Sequence, residues 1–389
     1  MKVKTPNDSK REETELKLSR VATHILRYPD ANDLGRERMT VLVRVETTDG
    51  TVGWGEAIAM WPEACRATAV LIEEGFTPLL IETGETTVQQ CWQKMREHSW
   101  WYGEGGISSF ALSAIDMALW DIQGKIEGRS LSELWGRVHD RLPANASCHV
   151  NKESLSACID EALGFFAAGF RSVKLGLGKK SLSTIGHDPE SSIALVAGIR
   201  RAAGAEPEIL VDVGNGLRWD AATAIDTARR MAEYRIGWIE EPFYPTHLED
   251  YRALKAAVAI PVASGEREWT VTGYQRLIDS GTADVIGVDP ARAEGVTGFR
   301  EIDRRVGAAG LTVNAHAWST AITTAASLHL SVSSPNSRLF ELKPFPVAVQ
   351  QELVAVPVKQ TGGFVTPPSG PGLGVEVNED VVNRLQYRP

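Results

Sequence analysis

Short apolar runs alternate with segments of helical periodicity between about residues 147 and 342. Turn residues bound the apolar runs, which is typical of buried strands, whereas the segments between them repeat apolar residues every three or four positions. The eight strand-like runs are, in order, SCHVN, FRSVKLGLG, EILVDVG, IGWIEEP, IPVASGE, ADVIGVDP, LTVNAH and RLFELKP. Because seven helices alternate strictly with these strands, the pattern predicts a parallel sheet covered by helices.

The number of units favours a closed barrel over an open sheet. Eight βα units of this size are typical of a TIM-type (β/α) barrel. An open, doubly wound sheet that binds a dinucleotide would carry a GxGxxG fingerprint, but KLGLGKK, which follows a strand, lacks that phase. We therefore predict an α/β fold with a modified, (β/α)7β-like barrel.

A second layer is predicted on either side of the barrel sequence. Residues 18–56 read as strands with a hairpin turn at Asp49-Gly50, and residues 62–97 and 108–128 read as helices. The turn-rich end of the chain is expected to return to this layer. The predicted organisation is a flexible tail (1–17), an α+β capping domain (18–140), the barrel (141–345) and a C-terminal segment (346–389) that completes the cap.

Composition narrows the class of protein. A chain of 389 residues with 43% hydrophobic and 23% charged residues is typical of a globular protein. A net charge of −9 argues against nucleic acid as a partner, since phosphate binding needs clustered Lys and Arg. No run reaches the ~20 apolar residues of a membrane span, and the charged N-terminus lacks the apolar core of a signal peptide. The four cysteines lack metal-binding spacing and are expected to be reduced core residues in a cytoplasmic protein.

Three successive apolar runs end in a carboxylate. Asp212, Glu240 and Glu266 are separated by 28 and 26 residues, about the length of one βα unit. A single acidic residue at a strand end is often only a solvated loop residue. Three in phase would lie on one rim of a barrel and repel each other unless a cation lies among them. Oxygen ligands suit a hard cation, so the spacing predicts a Mg²⁺ site.

The other strand ends also carry ionisable side chains. Lys174 ends the second run, Asp289 the sixth, His316 the seventh and Glu341 the eighth. Active sites of (β/α) barrels lie at the C-terminal ends of the strands. Scattered charges would not fall at successive strand ends so regularly, and this rim is therefore the predicted active site.

Over about residues 18–385, including GWGE and GPGLGVEVN, the chain resembles the enolase superfamily, in its mandelate racemase-like subgroup (the mandelate racemase/muconate lactonizing enzyme family). The resemblance implies that Asp212, Glu240 and Glu266 hold one Mg²⁺ per subunit. The muconate-lactonizing subgroup has Lys at the end of strand six. Asp289 with His316 instead resembles the His–Asp dyad of the mandelate racemase subgroup. His316 would then move the α-proton of a carboxylate substrate as an enediolate forms, with Lys174 and Glu341 at the substrate carboxylate.

One departure from the family pattern bears on the reaction. Strand two usually ends in KxK in this family, but here it reads Lys174-Leu175-Gly176, so the second lysine is missing unless Lys179 or Lys180 folds back. A racemase needs a base on each face of the α-carbon, whereas elimination of water can proceed with His316 alone. We therefore favour an acid-sugar dehydratase. A sugar-acid cycloisomerase is the main alternative, followed by a racemase or epimerase and by an inert metal- and ligand-binding barrel.

Further residues are weaker candidates for substrate binding. The family's DxN on strand three is shifted here, which leaves Asn215 in doubt, and Asn314 and Trp318 flank His316. Loops of the cap determine specificity in the family, and their counterparts are Pro29–Arg38, with Arg36 and Arg38, and Ala57–Trp61. The resemblance also implies a homo-oligomer with a small-molecule carboxylate as its ligand.

Overall fold

The computed structural model describes residues 14–214 and 216–388. In this part of the chain the strands are β1 (Leu16–Asp30), β2 (Arg36–Thr47), β3 (Val52–Met60), β4 (Glu85–Thr86), β5 (Leu142–His149), β6 (Ser172–Gly176), β7 (Glu208–Asp212), β8 (Ile239–Glu240), β9 (Val262–Ser264), β10 (Val285–Val288), β11 (Thr312–Ala315), β12 (Phe340–Leu342) and β13 (Phe364–Val365).

The α-helices are α1 (Pro62–Val70), α2 (Thr77–Thr83), α3 (Val88–Ser99), α4 (Ile107–Ile126), α5 (Leu131–Trp135), α6 (Leu155–Ala167), α7 (Pro189–Ala203), α8 (Ala221–Ala232), α9 (Leu248–Ala257), α10 (Val271–Ser280), α11 (Gly295–Ala308), α12 (Ala321–Ser333), α13 (Ala348–Gln351) and α14 (Glu379–Leu385). A 3₁₀ turn (Ala31–Asp33) joins β1 to β2, and a π-helical turn (Leu71–Phe76) joins α1 to α2.

Strands β5 to β12 form a nearly closed parallel barrel. Their hydrogen-bonded order is β11-β10-β9-β8-β7-β6-β5-β12, and one of the helices α6 to α12 follows each strand except the last. Between β11 and the chain before β12, the Val313 amide donates to the Asn336 carbonyl at 3.1 Å. The predicted (β/α)7β-like barrel is therefore confirmed.

Side-chain alternation in these strands decides which residues face the barrel interior. Val173, Leu175 and Val211 belong to the buried cluster that β6 and β7 form with their covering helices. Because successive strand residues point to opposite faces, Lys174 and Asp212 then point inward. Deeper in the barrel, a separate apolar cluster closes the interior, and its members are Leu210, Trp238, Ala263, Val285 and Leu339.

The N-terminal layer is an antiparallel sheet backed by helices. Strands β1, β2 and β3 pair in sequence, and α4 packs on β3. Gly53 and Gly55 permit this contact, because a Cβ at either position would lie about 2 Å from an α4 carbonyl oxygen (2.1 and 1.9 Å). The C-terminal segment returns to the sheet, where the Tyr387 amide donates to the Ile25 carbonyl at 2.7 Å. The predicted α+β cap with its C-terminal completion is confirmed.

Two predicted boundaries and one predicted loop differ from the structure. Strand β5 begins at Leu142, five residues before the predicted 147, and β1 begins at Leu16, inside the predicted tail; residues 1–13 of that tail lie outside the described residues. The predicted loop Pro29–Arg38 is largely a hairpin in which Asp30 pairs with Arg36. Asp30, Asn32 and Asp33 are buried rather than solvated, as the Asp30–Lys343 ion pair illustrates (3.1 Å), whereas Arg36 and Glu37 are exposed.

Two predictions from composition concern the cysteines and the lack of a membrane span. All four cysteines are buried and none forms a disulfide, as predicted. Among the described residues, no helix has the length and apolar character needed to cross a membrane.

Glu56, at the end of the GWGE motif, joins the cap to the barrel. Its buried carboxylate accepts hydrogen bonds from Thr40 on β2 (2.8 Å) and, at the start of α12, from the hydroxyls of Ser319, Thr320 (2.6 Å) and Thr323 (2.5 Å) and from the two threonine amides. Since α12 follows the loop that carries His316, Glu56 holds that loop against the cap.

Glu56→Gln should lower the free energy of unfolding by about 3 kcal/mol. The amide removes the charge that strengthens these bonds, and its NH₂ group would face hydroxyl and amide donors. Urea denaturation measures the change, and Glu63→Gln on exposed α1 is the control, expected to stay within about 0.5 kcal/mol. An unchanged midpoint for Glu56→Gln would contradict the assignment.

Candidate active site

A cavity of about 620 Å³ opens where the C-terminal ends of the barrel strands meet the cap. The barrel contributes charged side chains to its wall, and the cap contributes Arg38, Met60 and Trp61. The predicted catalytic and metal-binding residues that line it are Lys174, Asp212, Glu266, His316 and Glu341. Glu240 and Asp289 are buried directly behind this wall and bond to residues in it.

His316 and Asp289 form a closely hydrogen-bonded pair. His316 Nδ1 lies 2.6 Å from Asp289 Oδ2, and the Ala291 amide donates to the other carboxylate oxygen at 2.7 Å. His316 Nε2 is left on the other side of the ring, 3.7 Å from Glu266 Oε2. Burial alone would lower the pKa of His316, but Glu266 and Asp289 outweigh it and raise that pKa to about 9. Asp289 holds the ring through Nδ1–H, so that loss of a proton from Nε2 leaves the Nδ1–H tautomer.

Lys174 lies between two buried carboxylates inside the barrel. Its Nζ is 3.1 Å from Glu341 Oε2 and 3.3 Å from Glu240 Oε1, and all three side chains are buried. Burial opposes the charged amine, yet the surrounding carboxylates hold the pKa of Lys174 well above its usual range. Burial raises the pKa of Glu341 in turn, but Lys174 outweighs it and keeps that pKa low. The site therefore contains a fixed cation next to an anion at the cavity wall.

The three predicted metal ligands lie on neighbouring strands. Asp212 and Glu240 are in register across β7 and β8, and Glu266 follows β9 by two residues. Each carboxylate has different partners: Glu240 contacts Lys174 and accepts from Trp238 Nε1 at 3.0 Å, whereas Glu266 lies near His316 and Arg267. In these side-chain positions, no three His, Cys, Asp or Glu residues of the described chain are grouped closely enough to hold a metal ion.

The donor chemistry nevertheless fits a hard cation. Asp212 Oδ1 is buried and makes no hydrogen bond, so one carboxylate oxygen is unpaired at the cavity wall. Burial raises the pKa of Glu240 to about 8, against the opposing effect of Lys174, so the buried carboxylate lacks enough positive charge around it. Oxygen donors from three adjacent strands suit Mg²⁺, provided that Glu240 turns away from Lys174.

Glu241, next to the candidate ligand Glu240, points elsewhere. Its backbone has a positive φ of 42°, and its carboxylate pairs with the Arg267 guanidinium. Arg267 also donates to the Gly214 carbonyl at 2.9 Å and lines the cavity. Glu241 therefore positions Arg267 and not the metal.

The chain folds Lys179 back to the cavity. Gly178 has a φ of +63°, and the Lys179 amine lies beside Gly214, 2.4 Å from where a Cβ on that glycine would be. The same Cβ would lie 3.2 Å from Asp212 Oδ1, so the amine and this carboxylate both lie beside Gly214. Its charge, with those of Lys174 and Arg267, outweighs burial and holds the pKa of Asp212 below its usual range. Lys180, by contrast, is exposed and outside the lining.

The weaker substrate-binding candidates separate into two groups. Arg38 and Trp318 line the cavity. Arg36 does not: its side chain is 54% exposed, compared with 16% for Arg38, because it lies on the outer side of the hairpin. Asn314 lies two residues below His316 on β11, buried one layer under the cavity. Asn215 lies outside the described residues.

Sequence reasoning missed His149. It is the last residue of β5, lines the cavity and stacks on Trp318 with ring centroids 5.3 Å apart. The signal is present in the sequence, because SCHVN is the first strand-like run and carries a histidine near its end, as the other seven runs carry ionisable residues near theirs. Reading the first strand end in the same way would have added His149 to the rim.

Both layers of the chain match models of known protein domains. Residues 31–136 match the model of the mandelate racemase/muconate lactonizing enzyme N-terminal domain, and residues 157–381 match the enolase C-terminal domain-like model. Among curated proteins, D-galactarolactone cycloisomerase of Agrobacterium fabrum is 28% identical and covers 95% of this chain and 99% of its own length. Arabinonate dehydratase of Saccharolobus solfataricus is 26% identical, covering 90% and 91%.

A solved structure gives the same result for the fold. The structure of an enolase from Bradyrhizobium complexed with magnesium and mandelic acid has a TM-score of 0.84 and 26% identity, and the match covers 96% of this chain and 99% of that one. Because a family model matches more than half of the chain and both layers match in order, the chain belongs to the enolase superfamily, in its mandelate racemase-like subgroup.

Proposed function

We propose that this protein is a Mg²⁺-dependent sugar-acid dehydratase that removes an α-proton with His316. The 2.6 Å pair of His316 with fully buried Asp289, facing the same cavity as Lys174 and Glu341, carries the proposal. Relatives that act on sugar acids, both dehydratases and cycloisomerases, support the coarser assignment to sugar-acid chemistry.

Asp212, Glu240 and Glu266 would hold the metal. When bound, Mg²⁺ supplies positive charge to the substrate carboxylate and so makes the α-proton more acidic. The buried Lys174 ammonium adds a second positive charge at that carboxylate, and Glu341 accepts from Lys174 and fixes its position.

The remaining steps use His316 in both directions. In the deprotonated form of the ring, Nε2 takes the α-proton, and the electron pair of the broken C–H bond enters the carboxylate-stabilised enediolate. The β-hydroxyl then leaves with the proton that His316 returns, which gives water and an enol that tautomerises to the 2-keto acid. Asp289 supports the imidazolium between the two transfers. Gly176 offers no second lysine, and Lys179, which does return to the cavity, has its amine beside Gly214 and not at position 176. This placement favours the one-base sequence over racemisation.

A sugar-acid cycloisomerase is the second candidate, favoured by the 28% identical cycloisomerase. It would use the same α-proton transfer, but the leaving oxygen would belong to a ring of the substrate and remain attached to it.

The test is a panel of aldonates, aldarates and their lactones and anhydro forms, incubated with Mg²⁺ in D₂O and followed by NMR. A 2-keto acid one water lighter than its substrate supports the dehydratase, and a ring-opened isomer supports the cycloisomerase. Deuterium at the α-carbon without net product would point to a racemase or epimerase. No exchange and no product across the panel would contradict the proposal and favour an inert barrel. A homo-oligomer and a cytoplasmic location remain predictions from the sequence.

Arg38→Met should raise KM about tenfold with a smaller change in kcat. Its guanidinium lines the cavity from the cap and is held by Asp33 at 2.8 Å, so it can bind the distal part of the substrate. Arg36→Met, two residues away and exposed, is the matched control and should leave KM within about twofold. Equal effects of the two substitutions would count against Arg38 as a substrate ligand.

A further inference from the structure

We propose that His149 takes the place of the missing side chain at position 176 and hydrogen-bonds a hydroxyl group of the substrate's carbon chain. This inference rests on the proposed function for the class of ligand, a polyhydroxylated acid. It assigns a specificity-determining contact to the end of the first barrel strand.

The strand register places His149 beside the gap. His149, Gly176 and Asp212 are in register across β5, β6 and β7, so their side-chain positions lie side by side at one level of the barrel. A Cβ built on Gly176 would lie 3.1 Å from His149 Cδ2 and 3.3 Å from the Cys148 carbonyl oxygen. The imidazole therefore leans over the glycine, and position 176 has no room for a larger side chain while His149 is there.

Both the cap and the loop after β11 hold the histidine in this position. Its backbone amide donates to Asn32 Oδ1 in the cap hairpin at 3.0 Å. Its ring stacks on Trp318, with an interplanar angle of 19°. These contacts fix the ring plane without using either ring nitrogen, which is the arrangement expected of a side chain whose polar atoms serve a ligand.

One ring nitrogen has no hydrogen-bond partner. His149 is only 9% exposed, and its Nδ1 is buried without a partner, 3.8 Å from Asp33 Oδ1 of the cap hairpin. A buried polar atom of this kind is uncommon unless a ligand or water completes it. Nε2 is bonded to Cδ2, the ring atom next to Gly176, so Nε2 is the nitrogen on the side of the gap and the one that we expect to meet the substrate hydroxyl.

Burial, together with the charges around the ring, keeps His149 neutral. Burial, with Lys179 and Arg38, lowers the pKa of His149 to about 3, against the opposing effect of Asp212 and Asp30. A neutral imidazole has one donor and one acceptor, which match a hydroxyl group, whereas a carboxylate would be matched by a charged donor. Its partner is therefore expected to be a hydroxyl of the sugar chain and not a second carboxylate.

Two consequences distinguish this role from a structural one. Removing the imidazole should weaken only ligands that carry hydroxyls beyond the α-carbon. Adding a methyl at Gly176 should push the ring away and have the same effect, and the two changes should not add, because they act on one contact.

The experiment measures binding by calorimetry with Mg²⁺ present, in a His316→Asn background that cannot turn the ligand over. The probes are the aldonates and aldarates of the panel and glycolate, which has only a carboxylate and an α-hydroxyl. His149→Phe keeps an aromatic ring against Trp318 and should weaken binding of the longer acids about tenfold, but change glycolate affinity less than twofold. His149→Gln should restore most of the lost affinity.

In the His316→Asn background, Gly176→Ala should weaken binding of the longer acids as much as His149→Phe does. When His149→Ala is also present, Gly176→Ala should have little further effect. Gly164→Ala, on exposed α6 with no atom within 4 Å of the new methyl, is its control. Unchanged affinity for the longer acids in His149→Phe, equal losses for glycolate, or no saturable binding of any polyhydroxylated acid would overturn the inference. The inference would also be overturned if His149→Phe, in protein that retains His316, lost α-proton exchange while its affinity for the longer acids stayed unchanged.

The proposed function can fail separately. If sugar acids bind through His149 but neither exchange their α-proton nor react in D₂O, the dehydratase proposal is contradicted and the proposed hydroxyl contact is not.

Discussion

His316→Asn should lower kcat for the sugar-acid substrate to the lower limit of detection, by a factor on the order of 10⁴. General acid–base groups typically contribute 10²- to 10⁴-fold, and the upper end applies because His316 is used for both proton transfers. Asparagine fits the space and still offers a group that can bond to Asp289 Oδ2. The loss should therefore reach kcat and α-deuterium exchange together, measured by NMR in D₂O.

Three comparisons distinguish the loss of the base from a loss of folding or of metal binding. The variant should keep the wild-type affinity for Mg²⁺ and the wild-type unfolding midpoint. His187→Asn, in the connection between β6 and α7 and outside the cavity lining, should retain full activity. Asp289→Asn should leave some activity, because it weakens the orientation of the imidazole without removing it. Exchange at the wild-type rate in His316→Asn would eliminate this residue as the base.

The barrel could be predicted from the sequence because its signal is periodic. Runs such as EILVDVG are buried on both faces, where the outward residues Ile209 and Val211 pack on helices and the inward residue Leu210 fills the barrel. A parallel strand of this kind reads as a continuous apolar run. The charged residue at its end is then visible as the first break in that run, which is why Asp212 could be identified from its neighbours alone.

The hairpin at residues 30–36 could not be predicted in the same way. Asp30, Asn32 and Asp33 are strongly polar, and polarity next to a glycine favours a solvated loop. In the structure these residues are buried, and two of them have a partner far along the chain: Lys343 for Asp30 and the His149 amide for Asn32. Propensity is local, whereas these contacts join residues more than a hundred positions apart.

The side chain that fills the space beside Gly176 could not be predicted for a related reason. Spacing shows that a lysine is absent, but it cannot show which neighbouring side chain enters the space. His149 lies 27 residues before Gly176, and strand register alone brings them together. Gly178, which has a positive φ, directly precedes Lys179, and the Lys179 amine lies beside Gly214, which also has a positive φ. The sequence alone does not relate these two glycines to each other. Register and backbone handedness, rather than residue type, determine this corner of the site.

Spacing likewise placed the three carboxylates on one side of the barrel but did not predict their partners. Glu240 bonds to Lys174 and Trp238 rather than facing Asp212 and Glu266. Lys174 is thus linked to the candidate metal site through Glu240 and to the candidate substrate site through Glu341.

Glu240→Gln should weaken Mg²⁺ binding by a factor on the order of 100. This is at the upper end of the 10- to 100-fold effect seen for residues that only orient a metal ligand, because the substitution removes a charged oxygen donor from the candidate ligands themselves. The fold should tolerate the change. Lys174 keeps Glu341 at 3.1 Å, so the pair that remains is neutral overall, and the glutamine oxygen can still accept from Trp238. Calorimetric titration of metal-free protein with Mg²⁺ measures the affinity directly.

Lys174→Met is the informative comparison, because it alters the same three side chains without touching a ligand. It leaves Glu240 and Glu341 buried without their cation and should lower the free energy of unfolding by about 3–5 kcal/mol. Mg²⁺ should bind this variant at least as well as the wild type, because Glu240 no longer has to leave a lysine, and should recover part of the lost stability by binding the native state. If Glu240→Gln bound Mg²⁺ with wild-type affinity, or if Lys174→Met bound it as weakly as Glu240→Gln, Glu240 would not be a metal ligand.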